Sequence, residues 1–575
     1  MKYLCKQIYR ELLRNKIFTI LLLLLTTFTS FMYYFVHFSV DANIKVLESI
    51  PQLTKNQQLF YTGLSSNIIL SRNLLAAFLL LTAFVFAIYF LNFYRQNQKQ
   101  LGGLKALGFS NTQILIPCLL YTVLLSLTGA VFGLAAGYFA SDILILASEQ
   151  SYSLTDLAKG LEPDTLAVGF FLPALVFGCV PYLTFLPISR REAGLLLNGT
   201  NQPAKDSVIL RISDRTSRLF PEKIRLPIRL ALRRPVAVFL ILLSTAGFTV
   251  MFLLSYSLYV SSPTVYRQQT AGRSYLYDNH YNRPQLGPVK NNPDAEGKPY
   301  LDTGGSIRRE NTVLPQTLIS LHPGGTLFLL LDSSGNPIPL PEPGEIVIPP
   351  SLQELYGFKV GEQVTITWDT TQSDTGLRAT ITAVAFNAES NHIYLSQSDL
   401  SQIMGLPDTA YNGIYSIQNR YDPDTLKTSS QIRADLERDS VSNRTSAVIN
   451  QVIGCLIGCI LLYLALLLNF QSSTREILIL HMMGYTSREV RKMLIDIYRP
   501  ILIGSFLLLV YPAVLTVKTI LRSLSLQTGD YMPFQTSPPA AAAAFLILAV
   551  LYFLVQLTFT RSLRSLLKME TVPAL

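Results

Sequence analysis

The sequence predicts a polytopic α-helical membrane protein with eight transmembrane helices in two four-helix units, plus one α+β extracytoplasmic domain. Three observations lead to this fold class. The chain is poor in charge, it contains eight long apolar runs, and a segment that follows the second run recurs after the sixth.

The composition excludes an ordinary soluble protein. Of the 575 residues, 49% are apolar and 15% are charged, and the mean hydropathy is +0.33. Soluble domains carry about 25% charged residues, so this chain has too little charge to cover a surface that faces water. The five cysteines lie in or beside apolar runs and show neither a disulfide framework nor a zinc-ligand spacing.

Runs of about 20 apolar residues are long enough to cross the hydrocarbon layer of a bilayer as helices. Eight such runs predict eight spans: 17–36, 74–94, 114–140, 165–187, 236–260, 448–469, 501–521 and 540–559. A basic stretch precedes the first run, but no small-residue cleavage site follows it, which favours an uncleaved helix over a signal peptide.

The positions of Lys and Arg predict the orientation, because short cytoplasmic loops carry an excess of these residues. They are concentrated before the first span and after the second, fourth, sixth and eighth spans. The segments 37–73, 141–164 and 523–537, which follow the first, third and seventh spans, hold only Lys45, Lys55, Arg72 and Lys159. Both termini of this multi-pass cell-membrane protein are therefore expected in the cytoplasm. Topology and the lipid bilayer account for the basic excess, so no nucleic-acid partner is predicted.

The order of the spans predicts five parts. They are a first membrane unit (1–188), a basic cytoplasmic linker (189–235), a fifth helix (236–260), an extracytoplasmic domain (261–447), and three final helices with a cytoplasmic tail (448–575).

The predicted extracytoplasmic domain has its clearest pattern in its second half. Residues 343–367 follow a strand, helix, turn, strand pattern, 379–386 and 392–395 are predicted strands, and 398–405 is a predicted helix.

Two segments of the chain repeat each other and align without a gap: repeat segment 1 (99–114) and repeat segment 2 (475–490). Their apolar residues recur every three positions, which predicts a short amphipathic helix in each copy. Each helix is expected to stop at a glycine, and the hydroxyl residue that follows, Ser110 or Thr486, is expected to cap the next helix. The aligned pairs include Lys99 with Arg475, Leu101 with Ile477, Leu104 with Leu480, Leu107 with Met483, and Gly108 with Gly484.

These segments have two possible roles. One is an interfacial connector that lies on lipid headgroups. The other is a rigid element that binds a cytoplasmic partner. Two copies in corresponding places favour the second role, because a pseudo-symmetric pair suits a two-fold partner.

The pattern basic–Glu–Ile–x–x–Leu–x–x–x–Gly, followed by an aromatic and a hydroxyl residue, resembles the coupling helix of the FtsX-like (MacB-type) ABC transporter permeases. The pattern over roughly residues 343–415 is similar to their external domain. The resemblance implies that both repeat segments bind a cytoplasmic ABC ATPase dimer. Gln100 departs from the pattern, because it stands where the second copy has Glu476. The implied partner-binding residues are Lys99, Gln100, Leu101, Leu104, Leu107, Gly108, Arg475, Glu476, Ile477, Leu480, Met483 and Gly484.

The resemblance further implies a permease subunit that couples ATP hydrolysis by a separate ATPase to motion of its extracytoplasmic domain (mechanotransmission). The cargo expected from it is a peptide or lipid-like amphiphile that is exported or removed, as in antimicrobial-peptide resistance. One alternative is an FtsX-type scaffold that activates a cell-wall hydrolase or a sensor kinase, which adds an external protein as partner. A membrane enzyme is the other alternative.

The sequence offers no catalytic, cofactor-binding or metal-binding residues, so the chain itself is not expected to be an enzyme. Gly297-Lys298 is followed by Pro299 and so makes no phosphate-binding loop, which assigns ATP and Mg²⁺ to the partner. The five histidines, at 37, 280, 322, 392 and 481, are expected at the surface or in loops. The glycines at 129, 133 and 137 and at 454 and 458 are expected to pack helices closely.

Overall fold

A computed structural model describes residues 8–13, 16–51, 55–152, 157–197, 235–286, 297–309, 312–323, 326–368, 376–494, 496–528 and 531–570. Most of the predicted linker, 198–234, lies outside these residues. Contacts divide the chain into two compact units. The helical unit comprises Met1–Thr249, Val452–Ala513 and Ala542–Leu575, and the sheet unit comprises Val250–Gln451 and Val514–Ala541. The predicted four-helix halves follow a different division and stay a prediction.

The described residues form the following helices: α1 (Lys16–Glu48), α2 (Lys55–Gln96), α3 (Gln98–Ala106), α4 (Asn111–Tyr152), α5 (Pro163–Ser189), α6 (Ala193–Leu197), α7 (Pro235–Thr270), α8 (Pro350–Tyr356), α9 (Gln397–Met404), α10 (Ser429–Met482), α11 (Ser487–Leu494), α12 (Tyr498–Thr528) and α13 (Pro538–Glu570). Within this part of the chain, eight helices are long and apolar enough to cross a membrane: α1, α2, α4, α5, α7, α10, α12 and α13. They contain the eight predicted spans, so the prediction of a polytopic helical membrane protein is confirmed.

Helices α1 and α2 are longer than the predicted spans. The loop expected over 37–73 is mostly helical, because α1 continues to Glu48 and α2 begins at Lys55. Val40, Phe60 and Leu64 lie beyond the predicted spans and share one buried cluster with Val36, the last residue of the first predicted span. The two residues on each helix are four positions apart, the spacing that places side chains on one helix face, and their burial explains why the helices continue.

Glycines allow α4 to approach α1 closely. A Cβ atom added to Gly133 would lie 2.8 Å from the Phe31 backbone nitrogen, and one on Gly137 would lie 3.0 Å from that of Phe35. Real side chains almost never tolerate the shorter of these contacts. The structure therefore confirms a packing role for this glycine ridge, as expected for small residues between membrane helices.

The described residues of the sheet unit form nine strands: β1 (Tyr277–Gln285), β2 (Lys298–Arg309), β3 (Thr312–Leu321), β4 (Glu345–Ile348), β5 (Gln363–Trp368), β6 (Leu377–Val384), β7 (His392–Leu395), β8 (Tyr411–Ser416) and β9 (Thr425–Thr428). We call residues 271–428 the sheet domain. The strands and helices observed between 345 and 404 match those predicted there, and the predicted strand 392–395 has the observed bounds.

Six strands of the sheet domain close into a barrel, in the order β2, β3, β7, β4, β6, β5 and back to β2. Closure is possible because β2 is long: one side pairs with β3, and the other pairs with β5 near its end and with β8 near its start. The barrel is filled by apolar side chains, including Ile307, Ile346, Ile366 and Ile381. Strands β8, β1 and β9 extend the sheet beside it.

The sheet domain is shorter at both ends than the extracytoplasmic domain expected at 261–447, because two helices extend into that segment. Helix α7 runs to Thr270 and α10 begins at Ser429, so both helices extend well beyond their predicted spans. The Ser262 hydroxyl donates to the Ser440 carbonyl at 3.0 Å, a contact that joins the two extensions. Both polar extensions lack the apolar run on which the span prediction depends.

Candidate partner-binding site

Repeat segment 1 contains the separate short helix α3. The Asn97 side chain donates to the Phe93 carbonyl at 3.0 Å, at the point where α2 ends and α3 begins. Leu101 is 4% exposed, whereas Leu107 is 77% exposed, so the segment is amphipathic as predicted. The other predicted residues are exposed or half-buried: Lys99, Gln100, Leu104 and Gly108.

Contacts with the end of α5 and with α6 hold α3 in place. The Lys105 ammonium donates to the carbonyls of Ser189 at 2.8 Å and Arg191 at 3.1 Å, where α5 ends. A cation at a helix C-terminus is favourable, because the last carbonyls lack partners and carry partial negative charge. Partial burial lowers the pKa of Lys105. Beside it, a Cβ on Gly102 would lie 2.9 Å from that of Leu196, so the two short helices are in close contact.

The turn after α3 has a defined geometry. Gly108 adopts a left-handed conformation with φ of +87°. Its N–H donates to the Lys105 carbonyl at 3.0 Å, and the Phe109 N–H donates to the Leu104 carbonyl at 3.1 Å. This pattern satisfies carbonyls that the helix end would otherwise leave unpaired. Ser110 and Gln113 then cap α4 reciprocally, each side chain accepting from the other's backbone N–H.

Repeat segment 2 repeats this geometry. Ile477 is 1% exposed and Met483 is 68% exposed, matching the positions of Leu101 and Leu107. Gly484 has φ of +91°, and its N–H donates to the His481 carbonyl at 2.9 Å. The Tyr485 N–H donates to the backbone carbonyl of the half-buried Leu480 at 3.1 Å.

Thr486 and Glu489 form the same reciprocal cap before α11. The Glu489 carboxylate accepts from the Thr486 N–H at 2.8 Å, and the Thr486 hydroxyl accepts from the Glu489 N–H at 3.4 Å. The bond from the Thr486 backbone lowers the pKa of Glu489. Both copies therefore share a helix end, a left-handed glycine and a capping box.

The two copies differ in how they join the helix before them. The prediction of two separate short helices is wrong for the second copy, which forms the end of the uninterrupted 54-residue α10. Residues Leu478 and Ile479 stand where the first copy has Gly102 and Gly103, and glycine is among the weakest helix formers. The side chains of Arg475 and Glu476 lie outside the described part of the structure.

A buried polar cluster in the helical unit was not foreseen. His37, expected at the surface or in a loop, is buried in α1, with its Nδ1 atom 2.7 Å from Asp41 Oδ1. Its Nε2 atom lies 2.9 Å from the hydroxyl of buried Ser71 on α2. The second Asp41 oxygen accepts from the Glu162 N–H at 3.1 Å. The cluster thus connects α1, α2 and the segment before α5.

Sequence reasoning missed several of these residues. Gln113 and Glu489 could have been found, because Ser or Thr followed three residues later by Gln or Glu is a helix-start signature. Lys105 and Gly102 make contacts with residues about 90 positions away along the chain, and their own segment carries no signal of those contacts.

A comparison with known protein families matches both regions of the chain that contain a repeat segment. The family model described as FtsX-like permease C-terminal matches the chain twice, over residues 74–193 and 451–566. Each match contains one repeat segment with the helices that flank it. No curated protein matches the chain. The chain is therefore similar to FtsX-like permeases in these two regions, which together make up less than half of its length, and this similarity supports a multi-pass ABC transporter permease subunit.

Proposed function

We propose that the chain is a tandem-duplicated, MacB-type permease whose two repeat segments bind a cytoplasmic ABC ATPase dimer. ATP-driven closure of the dimer moves these segments, and the motion reaches the sheet domain on the opposite side of the membrane. The proposed result is export or removal of a peptide or lipid-like amphiphile.

The observation that carries this proposal is the paired geometry of the repeat segments. In each copy an inward apolar residue is buried, the apolar residue directly before the glycine is exposed, and the left-handed glycine ends the helix. Leu107 and Met483 therefore present long apolar side chains at the surface of the chain. Exposed apolar groups presented twice by rigid turns fit two equivalent grooves of a symmetric partner.

Continuity of α10 supports a mechanical role. The helix begins at Ser429, directly after β9, and ends at Met482 within repeat segment 2. A helix rises about 1.5 Å per residue, so a continuous helix of this length transmits displacement over a distance greater than the thickness of a bilayer. The break at Asn97 gives the first copy no such connection to α2, which suits a supporting contact.

The orientation and cargo are proposed on separate grounds. The concentration of Lys and Arg beside the repeat segments supports a cytoplasmic position for both, and thus an external sheet domain. The cargo class is supported by the family resemblance and by spans that are poor in charged residues, whereas a path for a hydrophilic solute uses more polar linings.

The test is binding and transport with the co-purifying cytoplasmic ATPase. Leu107→Asp combined with Met483→Asp places a charge at each exposed apolar contact, and we expect ATPase retention to fall about tenfold or more. The matched control is Val313→Asp, which changes a half-exposed residue of the sheet domain. Full retention of the ATPase by the double variant contradicts the proposal.

The scaffold alternative is distinguished in the same preparation. ATP hydrolysis by the wild-type complex in lipid nanodiscs is measured with a cationic antimicrobial peptide as probe, and separately with a cell-wall hydrolase or sensor kinase. Stimulation by the peptide supports a transporter. Stimulation by the protein alone favours the scaffold.

A further inference from the structure

The chain passes from α7 into the sheet domain without a linker. Two residues after Thr270, at Gly272, the segment begins to pair with residues 327–329. The Leu329 N–H donates to the Gly272 carbonyl at 3.0 Å, and the Ser274 N–H donates to the Leu327 carbonyl at 2.8 Å. A bridge between Arg273 and Phe328 lies between these bonds. The helix end is thus attached directly to the domain.

One buried side chain, Asn387, holds this attachment together. Its Nδ2 atom donates to the Ala271 carbonyl at 3.1 Å and to the Leu329 carbonyl at 2.7 Å. Its Oδ1 atom accepts from the Leu331 N–H at 2.9 Å. The amide therefore joins the residue after α7, the segment 329–331, and its own segment after β6. A buried amide with these partners is costly to disturb, because each lost bond leaves an unpaired polar group away from water.

Close packing around Gly272 leaves the attachment little freedom. Gly272 has φ of +72°, and a Cβ there would lie 2.9 Å from Asn387 Nδ2. Next to it, the Arg273 guanidinium is paired with Glu389 at 3.2 Å and lies over the Phe328 ring. Backbone pairing, the hydrogen bonds of the Asn387 amide and the Arg273–Glu389 ion pair thus all restrain the chain within a few residues of the end of α7.

We propose that Asn387 is a positioning residue that makes the junction of α7 with the sheet domain stiff, so that the domain turns with α7. The idea that this stiff junction couples ATP hydrolysis to transport rests on the proposed function. The stiffness of the junction does not depend on that function. Without the amide, the segment 271–274 would swing about the left-handed glycine, and a displacement of α7 would be absorbed there.

The test compares two buried asparagines of the same domain. Asn387→Asp keeps the acceptor but removes both Nδ2 donors. The matched control, Asn279→Asp, removes the donors that bind the Ile414 carbonyl and the Ser416 hydroxyl, on β8 and not in the segments 271–274 and 327–331. Spin labels are placed at Tyr259→Cys on α7 and Val313→Cys on β3, in the full chain with its five native cysteines replaced. The distance distribution between the labels is measured in nanodiscs without ATPase.

The proposal expects Asn387→Asp to broaden this distribution roughly twofold or more and Asn279→Asp to leave it narrow. An unchanged distribution in Asn387→Asp overturns the proposal, and so does equal broadening in both variants, which indicates general loosening. If Asn387→Asp does not fold, Asn387→Ala is measured instead, because it removes the three hydrogen bonds of the amide without adding a charge. The same outcomes then apply.

A second measurement separates this proposal from the proposed function. With the ATPase bound, Asn387→Asp is expected to keep its ATP hydrolysis but to lose transport of the peptide probe by about tenfold. If the wild-type complex transports no probe, the proposed function fails, while the label distances still decide whether the junction is stiff.

Discussion

Gly108 and Gly484 end their helices in the same left-handed conformation, with φ of +87° and +91°. Both are exposed, and a Cβ on either would meet no atom within 4 Å. Steric crowding therefore does not select glycine at these positions. The backbone conformation does, because it is strained for residues with a side chain.

Alanine at these glycines should destabilise the chain through the backbone alone. Gly108→Ala and Gly484→Ala are each expected to lower the free energy of unfolding by about 1 kcal/mol, because the left-handed conformation disfavours a Cβ. The control is Gly103→Ala, inside α3 and equally free of contacts, which should raise stability by a similar amount. Apparent Tm in detergent measures all three. A Gly108→Ala variant as stable as Gly103→Ala would refute the conformational explanation.

The buried His37–Asp41 pair should matter far more than an exposed pair of the same helical unit. Asp41→Ala leaves His37 and the Glu162 N–H without their acceptor, and should cost about 3–5 kcal/mol. Asp142→Ala removes the exposed partner of Lys159 and should cost about 1 kcal/mol or less. Thermal unfolding of the two variants measures the difference. Equal losses of stability in the two variants would show that the buried cluster stabilises the fold no more than the Asp142–Lys159 pair does.

The sheet domain should be slightly more stable at mildly acidic pH. The hydrogen bond from His280 to Asp302 raises the pKa of His280 in the folded state. The resulting stabilisation is present below the ordinary histidine pKa and is lost as pH rises through the raised value. Both side chains are partly exposed, so the effect should be below about 1 kcal/mol. Thermal unfolding followed by the single tryptophan, Trp368, should show it between pH 6 and 8. Asp302→Asn should abolish this pH dependence.

The charge difference between the repeat segments predicts unequal partner contacts. Glu476→Lys reverses a charge, whereas Gln100→Lys only adds one, so the first should weaken ATPase binding more. Pull-down of the ATPase at two salt concentrations measures this, since screening should reduce the difference. Equal losses of ATPase binding in the two variants would contradict the predicted difference between the two repeat segments.

The apolar spans and the strands between 345 and 404 could be predicted because their signals are local. Hydropathy marks a span, and alternation with turn residues marks a strand. The extensions of α1 and α7 were missed because their polar residues are helical only through packing with other segments. Lys105 and Asn387 act on distant backbone carbonyls. A contact of this kind has no local pattern, and a single sequence does not reveal it.

The central claim is tested most directly by cross-linking the repeat segments to the ATPase. Cysteines replace Leu107 and Met483, separately, in a chain without native cysteines, and a maleimide–succinimidyl ester cross-linker, which joins this cysteine to lysine amines of the ATPase, is added to the complex in nanodiscs. We predict that both positions cross-link to the ATPase and that the yield changes when ATP is bound. A control cysteine at Val313 should give no product. If neither Leu107→Cys nor Met483→Cys forms a cross-link while the ATPase remains bound, the repeat segments are not its binding site.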